Sequence, residues 1–328
     1  MKKRFSFLAA AAAAALLLTG CTDSAAPDKS PTTETDTGST ELRKVRVASL
    51  PISDQIALQV GIDEGIFEKH GLDVEVVPAQ GGAQAIPALM SGDIQFAIGQ
   101  PFGPFRAGLQ DLGVTVIGNF SSSLAEGLDV NGVVSLGDSG IVTPKDLAGK
   151  KVAVNSLGAA GDLTIKAAVD ADGGDSSTVE FVEVAFPDAE AQLVAGNIDA
   201  AWVPDPFQSK IAAGGGNIVV HPYQAILPGL TVLTTITTNE LIEKDPELVK
   251  EYATASAEAL EFTQNNDAAA RAAIVKHLGI PAEVAEKLTL PTFDAKLDIA
   301  QITELAELAL EYGTLDAMPD IKSIFVQY

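Results

Sequence analysis

Histidine, cysteine and paired carboxylates carry most protein chemistry, and this chain of 328 residues uses them sparingly. Its three histidines, His70, His221 and His277, are scattered, and no two have the spacing of a metal site. Cys21 is the only cysteine, so neither an internal disulfide nor a cysteine–zinc site can form. No Ser/His/Asp order and no paired-carboxylate motif emerges. The expectation is a protein that binds rather than reacts, with no cofactor and no metal.

The surroundings of Cys21 give it a different use. Lys2, Lys3 and Arg4 form a positive start, and Phe5 to Leu18 is an apolar, alanine-rich run. Small residues follow at Thr19 and Gly20. This is the pattern of an export signal, residues 1–20, too short to span a bilayer comfortably. Leu18-Thr-Gly-Cys21 resembles the lipobox of bacterial lipoproteins. The resemblance implies that the Cys21 sulfur receives a diacylglycerol and that cleavage makes it the first mature residue. Two acyl chains suffice for stable anchoring where one does not. Residues 22–41, TDSAAPDKSPTTETDTGSTE, hold no aromatic or large aliphatic side chain, so 21–43 reads as a lipidated cysteine and a disordered tether.

The remaining candidates are residues that hold a small molecule. WVPDPF (202–207) contains the only tryptophan, Trp202, which can stack on a ring or pack a core. Asp205 in the same loop can cap a helix or select an amine or a ring N–H, and Asp54 has the same two readings. Phe102, Phe120 and Phe186 suggest an apolar pocket with Trp202. NSLGAAG (155–161) is rich in small residues that let backbone approach a ligand, which brings in Ser156, Gly158 and Ala159. GGAQ (81–84) adds Gln84. An anion would use helix N-termini and the hydroxyls of Ser53, Ser121 and Ser156. A neutral ring would use Trp202, Phe102, Gln84 and Gln100. Arg106 lies one turn into its helix, and no other Lys or Arg falls on these loops.

Those residues need a scaffold that gathers them. Short β-rich runs at 45–49, 72–77, 94–99 and 114–120 alternate with helical runs at 54–69, 83–91 and 102–111. The series resumes with strands at 151–155, 179–184, 200–203 and 217–220, separated by helices near 160–171, 187–196 and 206–213. That alternation marks parallel sheets with helical crossovers. LMSGDIQFAI (89–98) and LVAGNIDAAW (193–202) match in register, 104 residues apart, so the chain reads as two lobes of similar topology. VVSL (133–136) is expected to carry the chain into the second lobe and GLTVLTTIT (229–237) to carry it back, giving a two-stranded hinge. The fold expected is α/β, two doubly wound lobes and a helical C-terminal tail. Lobe 1 takes 44–137 plus 229–328 and lobe 2 takes 138–228. In open α/β sheets ligands sit beyond the carboxyl ends of the strands. Those ends include Ser53, Asp54, Gln84, Gln100, Phe102, Ser121, Ser156, Phe186, Asp188, Trp202 and Asp205.

The stretches GIDEGIFEKHGLDVEVV (61–77), GGAQAIPALMSGDIQFAIG (81–99), SGIVTPKDLAGKKVAV (139–154), FPDAEAQLVAGNIDAAWVPDPF (186–207) and DPELVKEY (245–252) resemble the substrate-binding proteins of ABC importers. The branch is the nitrate/sulfonate/taurine one, which includes thiamine-pyrimidine binders. The resemblance runs from about 44 to 325 and implies a type II periplasmic-binding-protein fold. It also implies capture of a sulfonate-like anion or small heteroaromatic and delivery to a permease and its ATPase subunits. Enzymes on this fold, a pyrimidine synthase and desulfinases, rely on cysteines that this chain lacks beyond Cys21.

Composition fits that picture. Without Lys2, Lys3 and Arg4, 18 basic residues face 44 acidic ones, a formal charge of −26. That argues against nucleic acid and against adsorption to anionic lipid. The expectation is a monomer on the outer face of the cell membrane, held there only by its lipid.

Overall fold

The structure, a computed structural model, describes residues 41–79 and 81–328. The expected export signal, the expected lipidation site Cys21 and residues 22–40 of the expected tether lie outside the described residues. The tether ends earlier than expected. Strand β1 (Arg43–Ser49) begins at Arg43, whose guanidinium bonds Asp245 at 2.6 Å and Glu251 at 2.8 Å.

The first sheet adds β2 (Leu72–Pro78), β3 (Phe96–Gly99), β4 (Val114–Ser122) and β10 (Thr231–Thr238), in the order β2-β1-β3-β10-β4. The second holds β5 (Asn131–Ser135), β6 (Lys151–Val154), β7 (Glu180–Glu183), β8 (Ala200–Pro204) and β9 (Asn217–Val220), in the order β7-β6-β8-β5-β9. The two orders are equivalent. In each, one strand is antiparallel to both neighbours, β10 in the first and β5 in the second. That strand is the one by which the chain arrives from the other lobe.

VVSL therefore lies inside the second sheet rather than before it. Val133 pairs with Trp202 and with Val220, so lobe 2 starts at Asn131 instead of 138. A short buried β-branched run looks the same in sequence whether it connects sheets or completes one. The return at 229–237 is as expected. The hinge is where β4 and β10 end side by side: Thr231 pairs with Ser122, and Ser123 N–H donates to Leu230 O at 2.8 Å.

The helices between the strands are α1 (Ile56–Asp63), α2 (Ile66–Lys69), α3 (Gly82–Met90), α4 (Phe102–Leu109), α5 (Ala160–Ala171), α6 (Ala189–Val194), α7 (Phe207–Ala213) and α8 (Pro222–Ile226). The helical run at 54–69 is split. Gly65 has φ 65°, a left-handed turn that suits glycine and separates α1 from α2. The tail comprises α9 (Asn239–Lys244), α10 (Pro246–Asn265), α11 (Asp267–Leu278), α12 (Ala282–Ala285), α13 (Ile299–Glu311) and α14 (Ile321–Ile324). It packs on lobe 1, where α10 and α11 cover α1. Tyr252 of α10 stacks on Phe96 of β3 with centroids 3.8 Å apart. Ile302, Leu305, Ala306 and Ala309 form the buried stripe of α13, at helical spacing. Among the described residues no helix is long and apolar enough to cross a membrane.

Candidate functional site

The carboxyl ends of both parallel strand sets face each other, and the loops that follow them enclose a cavity of about 50 Å³. That is space for a few water molecules, so the lobes stand closed. Lobe 1 lines it with Leu50, Ile52, Asp54, Gln55, Gln84, Gln100, Phe102 and Arg106; lobe 2 with Asn131, Asn155, Ser156, Ala159, Phe186, Trp202 and Tyr223. Hydrogen bonds cross between the lobes. Gln100 Nε2 donates to Tyr223 Oη at 3.2 Å, and Gln100 Oε1 accepts from Ala160 N–H at 3.3 Å. Ser53 Oγ donates to Asp205 O at 2.9 Å.

The walls are aromatic. Trp202 packs at 5.7 Å from Phe186 and edge-on to Tyr223 at 5.8 Å, and Phe102 is buried at the start of α4. The start of α5 lies against the Trp202 ring. A Cβ on Gly161 would stand 2.9 Å from Trp202 Cε3, so only glycine fits there.

Three buried polar atoms on these walls have no partner: Gln55 Nε2, Trp202 Nε1 and Asn131 Oδ1. The Gln55 amide is oriented by its other end, whose oxygen accepts from Ser49 Oγ and from Leu50 N–H at 2.7 Å. Asp54 sits in a 3₁₀ turn (Ser53–Gln55), 1 % exposed, and caps no helix. Its side chain accepts from Ser53 Oγ at 3.3 Å. Burial, and then the nearby carboxylates of Asp205 and Asp129, push its pKa well above the ordinary range.

The loop expected to hold an anion is already occupied by the protein's own acids. Asp162, the third residue of α5, accepts from Gly158 N–H at 2.7 Å and Ala159 N–H at 2.8 Å. Glu183 accepts from Leu157 N–H at 2.9 Å. Arg106 lies at the rim, where a Cβ on Gly158 would come within 2.7 Å of its Nη2. Its guanidinium donates to Thr314 O at 3.3 Å and stands near Asp162 and Asp316.

Of the residues read from sequence, Asp54, Gln84, Gln100, Phe102, Ser156, Ala159, Phe186 and Trp202 line the cavity. The others do not. Asp205 is a structural tie: its oxygens accept from Ser209 N–H and Thr289 N–H, each at 3.1 Å. Ser53 faces the Asp205 carbonyl, Ser121 is buried in β4, Gly158 lies under Arg106, and Asp188 is exposed at the start of α6. Asn131 and Tyr223 lie outside the residues read from sequence, and Gln55 and Asn155 fall in strand-end loops without being singled out. Gln55 carried a signal, as the neighbour of Asp54 at a strand end. Asn131 begins a strand that sequence placed between lobes, and Tyr223 lies in a helix after the last strand of lobe 2. Among the described residues no group of three or more His, Cys, Asp or Glu is placed to hold a metal ion.

Two α/β lobes of equal topology closing on one cleft define the periplasmic-binding-protein fold. Within it the chain belongs to the NMT1/THI5-like family, whose model matches residues 53–270. A formylaminopyrimidine-binding protein of Halalkalibacterium halodurans is 24 % identical over 71 % of this chain and 70 % of its own length. The alkanesulfonate-binding protein SsuA of Xanthomonas axonopodis, bound to MOPS, superposes with a TM-score of 0.74 at 16 % identity, covering 87 % of this chain and 98 % of its own. A ligand-binding component of an ABC-type import system from Staphylococcus aureus, with zinc bound, also reaches 0.74 at 11 % identity over 87 % and 96 %.

Proposed function

We propose that this protein captures a flat nitrogen heteroaromatic solute between its lobes outside the membrane and delivers it to the permease of an ABC importer, without catalysing a reaction. One observation carries the choice of ring over anion. The cleft combines Phe102, Phe186, Trp202 and Tyr223 with buried, unpartnered Gln55 Nε2, Trp202 Nε1 and Asn131 Oδ1. A ring with nitrogen acceptors and N–H donors satisfies both sets at once. A sulfonate or nitrate would instead want the amides of 157–159, which Glu183 and Asp162 already hold. The relative named for formylaminopyrimidine supports the same choice, and the neighbour described as part of an ABC-type import system supports the permease as partner. The ligand contacts on this reading are Asp54, Gln55, Gln84, Gln100, Phe102, Asn131, Ser156, Ala159, Phe186, Trp202 and Tyr223. Cys21 serves as the lipid anchor, which leaves no thiol for a cysteine nucleophile.

Entry of a ring requires the lobes to part about the β4–β10 hinge and to re-form the Gln100 bridge over it. Native mass spectrometry of the purified protein with 4-aminopyrimidine, a flavin, taurine, ethanesulfonate and nitrate tests the reading. Retention of a ring compound, weakened in Trp202→Ala, is expected. Preferential retention of a sulfonate or nitrate overturns it.

A further inference from the structure

Three buried carboxylates near the cleft stand close enough to act on one another electrostatically. Asp54 lines the floor from lobe 1, Asp129 ends the segment that crosses to lobe 2, and Asp205 follows β8. Backbone contacts hold them together: Ser53 Oγ and N–H reach Asp205 O, and Asp205 N–H donates to Val130 O at 3.0 Å. All three are at most 1 % exposed, and none takes part in an ion pair among the described residues. Asp205 uses both oxygens on the amides of Ser209 and Thr289; Asp129 uses Oδ1 on the amides of Leu124 and Val130, and its Oδ2 is buried without a partner. Asp54 accepts a long bond from Ser53 Oγ and is the member that lines the cavity. The polar atoms around it point to a ligand independently, since Gln55 Nε2, Trp202 Nε1 and Asn131 Oδ1 are unpartnered on residues at most 3 % exposed.

From this geometry we infer that Asp54 sets the charge of the solute, accepting a cationic N–H-bearing group at the cleft floor in exchange for its own proton. The inference rests on the cleft being a ring-binding site. A lone ionised carboxylate is costly at such a place, and a proton or a ligand cation relieves that cost equally. The neighbours of Asp54 offer no alternative. Asp205 and Asp129 raise its pKa, as burial does first. Tyr223 is itself pushed up by burial, then by Asp54 and Asp129. Arg106 lines the same cavity, but its charge is shared with Asp162 and Asp316. His221 acts on Asp129. When a permanent cation binds, the Asp54 O–H bond breaks, the proton passes to solvent and the carboxylate accepts the ligand N–H. An anionic ring gains nothing from displacing that proton, because it would then face the Asp54 carboxylate.

The test is isothermal titration calorimetry of the full chain with two flat probes, 4-amino-1-methylpyridinium and p-toluenesulfonate, from acid to neutral pH and in two buffers of different ionisation enthalpy. Affinity for the cation is expected to rise about tenfold per pH unit below the raised Asp54 value, with about one proton released per cation bound. The anion is expected not to bind. Asp54→Asn, checked for fold by circular dichroism, should flatten the slope and weaken the cation roughly 10- to 100-fold. A flat profile in the wild type, or an Asp54→Asn variant that keeps its affinity, overturns the role of Asp54 while binding of 4-aminopyrimidine would leave the ring reading standing. Binding of p-toluenesulfonate in preference to the cation overturns both, as does failure of every ring to bind.

Discussion

The loops that follow the first parallel strand of each sheet occupy equivalent places and use their acids in opposite ways. After β1 comes the turn Ser53–Gln55, whose Asp54 caps no helix and lines the cavity. After β6 comes the loop 155–159, and its acid, Asp162, turns back onto the amides of Gly158 and Ala159. Topology puts both loops beside the cleft. What separates them is the backbone each must serve. A helix follows each loop, but α5 takes a carboxylate onto the amides at its start, whereas α1 continues from the 3₁₀ turn with no side-chain cap. The first loop tightens into a 3₁₀ turn that runs directly into α1, and Asp54 is not drawn onto its amides. One lobe spends its acid on its own fold, and the other keeps an acid for the cleft.

The largest test of this asymmetry uses the matched stretches 89–98 and 193–202, in which Ile98 and Trp202 are counterparts. Both are buried, but only Trp202 lines the cavity. Trp202→Ala should cost about 3–5 kcal/mol in urea unfolding and abolish ring retention; Ile98→Ala should cost about 2–5 kcal/mol and leave retention intact. Loss of retention in both would mean that closure as a whole, rather than the tryptophan, holds the solute.

A smaller effect follows from freeing the second loop. Asp162→Ala removes acceptors for Gly158, Ala159 and Leu163 and should lower stability by about 1–2 kcal/mol. The same change bares amides at the cleft edge and should create or strengthen taurine binding, read by titration. An unchanged urea midpoint would show that these amides find other acceptors.

How much of this was legible depends on how local the cause is. The alternation of elements, the internal repeat and the return at 229–237 follow from periodicity and glycine placement within ten or so residues, and the structure agrees with them. The site was half legible for the same reason: strand ends are local, so Asp54, Gln100, Phe102 and Trp202 could be placed near a cleft. Direction was not. Asp205 turns from the cleft because Thr289, 84 residues away, offers it an N–H. Gly158 belongs to Arg106 rather than to a ligand because α4 of the other lobe closes onto it. Asn131 escaped notice because nothing in VVSL separates a connecting run from an inserted antiparallel strand.

The smallest and most discriminating comparison sets Asp54 against Asp63, one acid turned to the cleft and one to the surface. Burial raises the folded pKa of Asp54 above the ordinary 3.8. Its contribution is therefore fully present below that value and lost as pH rises through the folded one. Burial also raises Asp63, but hydrogen bonds from Lys276 at 2.7 Å and His277 at 2.8 Å outweigh it and hold the pKa below 3.8. Its contribution is present above the ordinary value and lost as pH falls through the lowered one. Asp63→Asn should thus cost less than about 1 kcal/mol near neutral pH and nothing in strong acid. Asp54→Asn should do the reverse, leaving the acid end unchanged and gaining on the wild type as pH rises. Urea midpoints of the three proteins across this range decide it. If both variants lose stability in parallel, Asp54 is a paired structural acid like Asp63, and the contrast between the two lobes fails at the residue on which it depends.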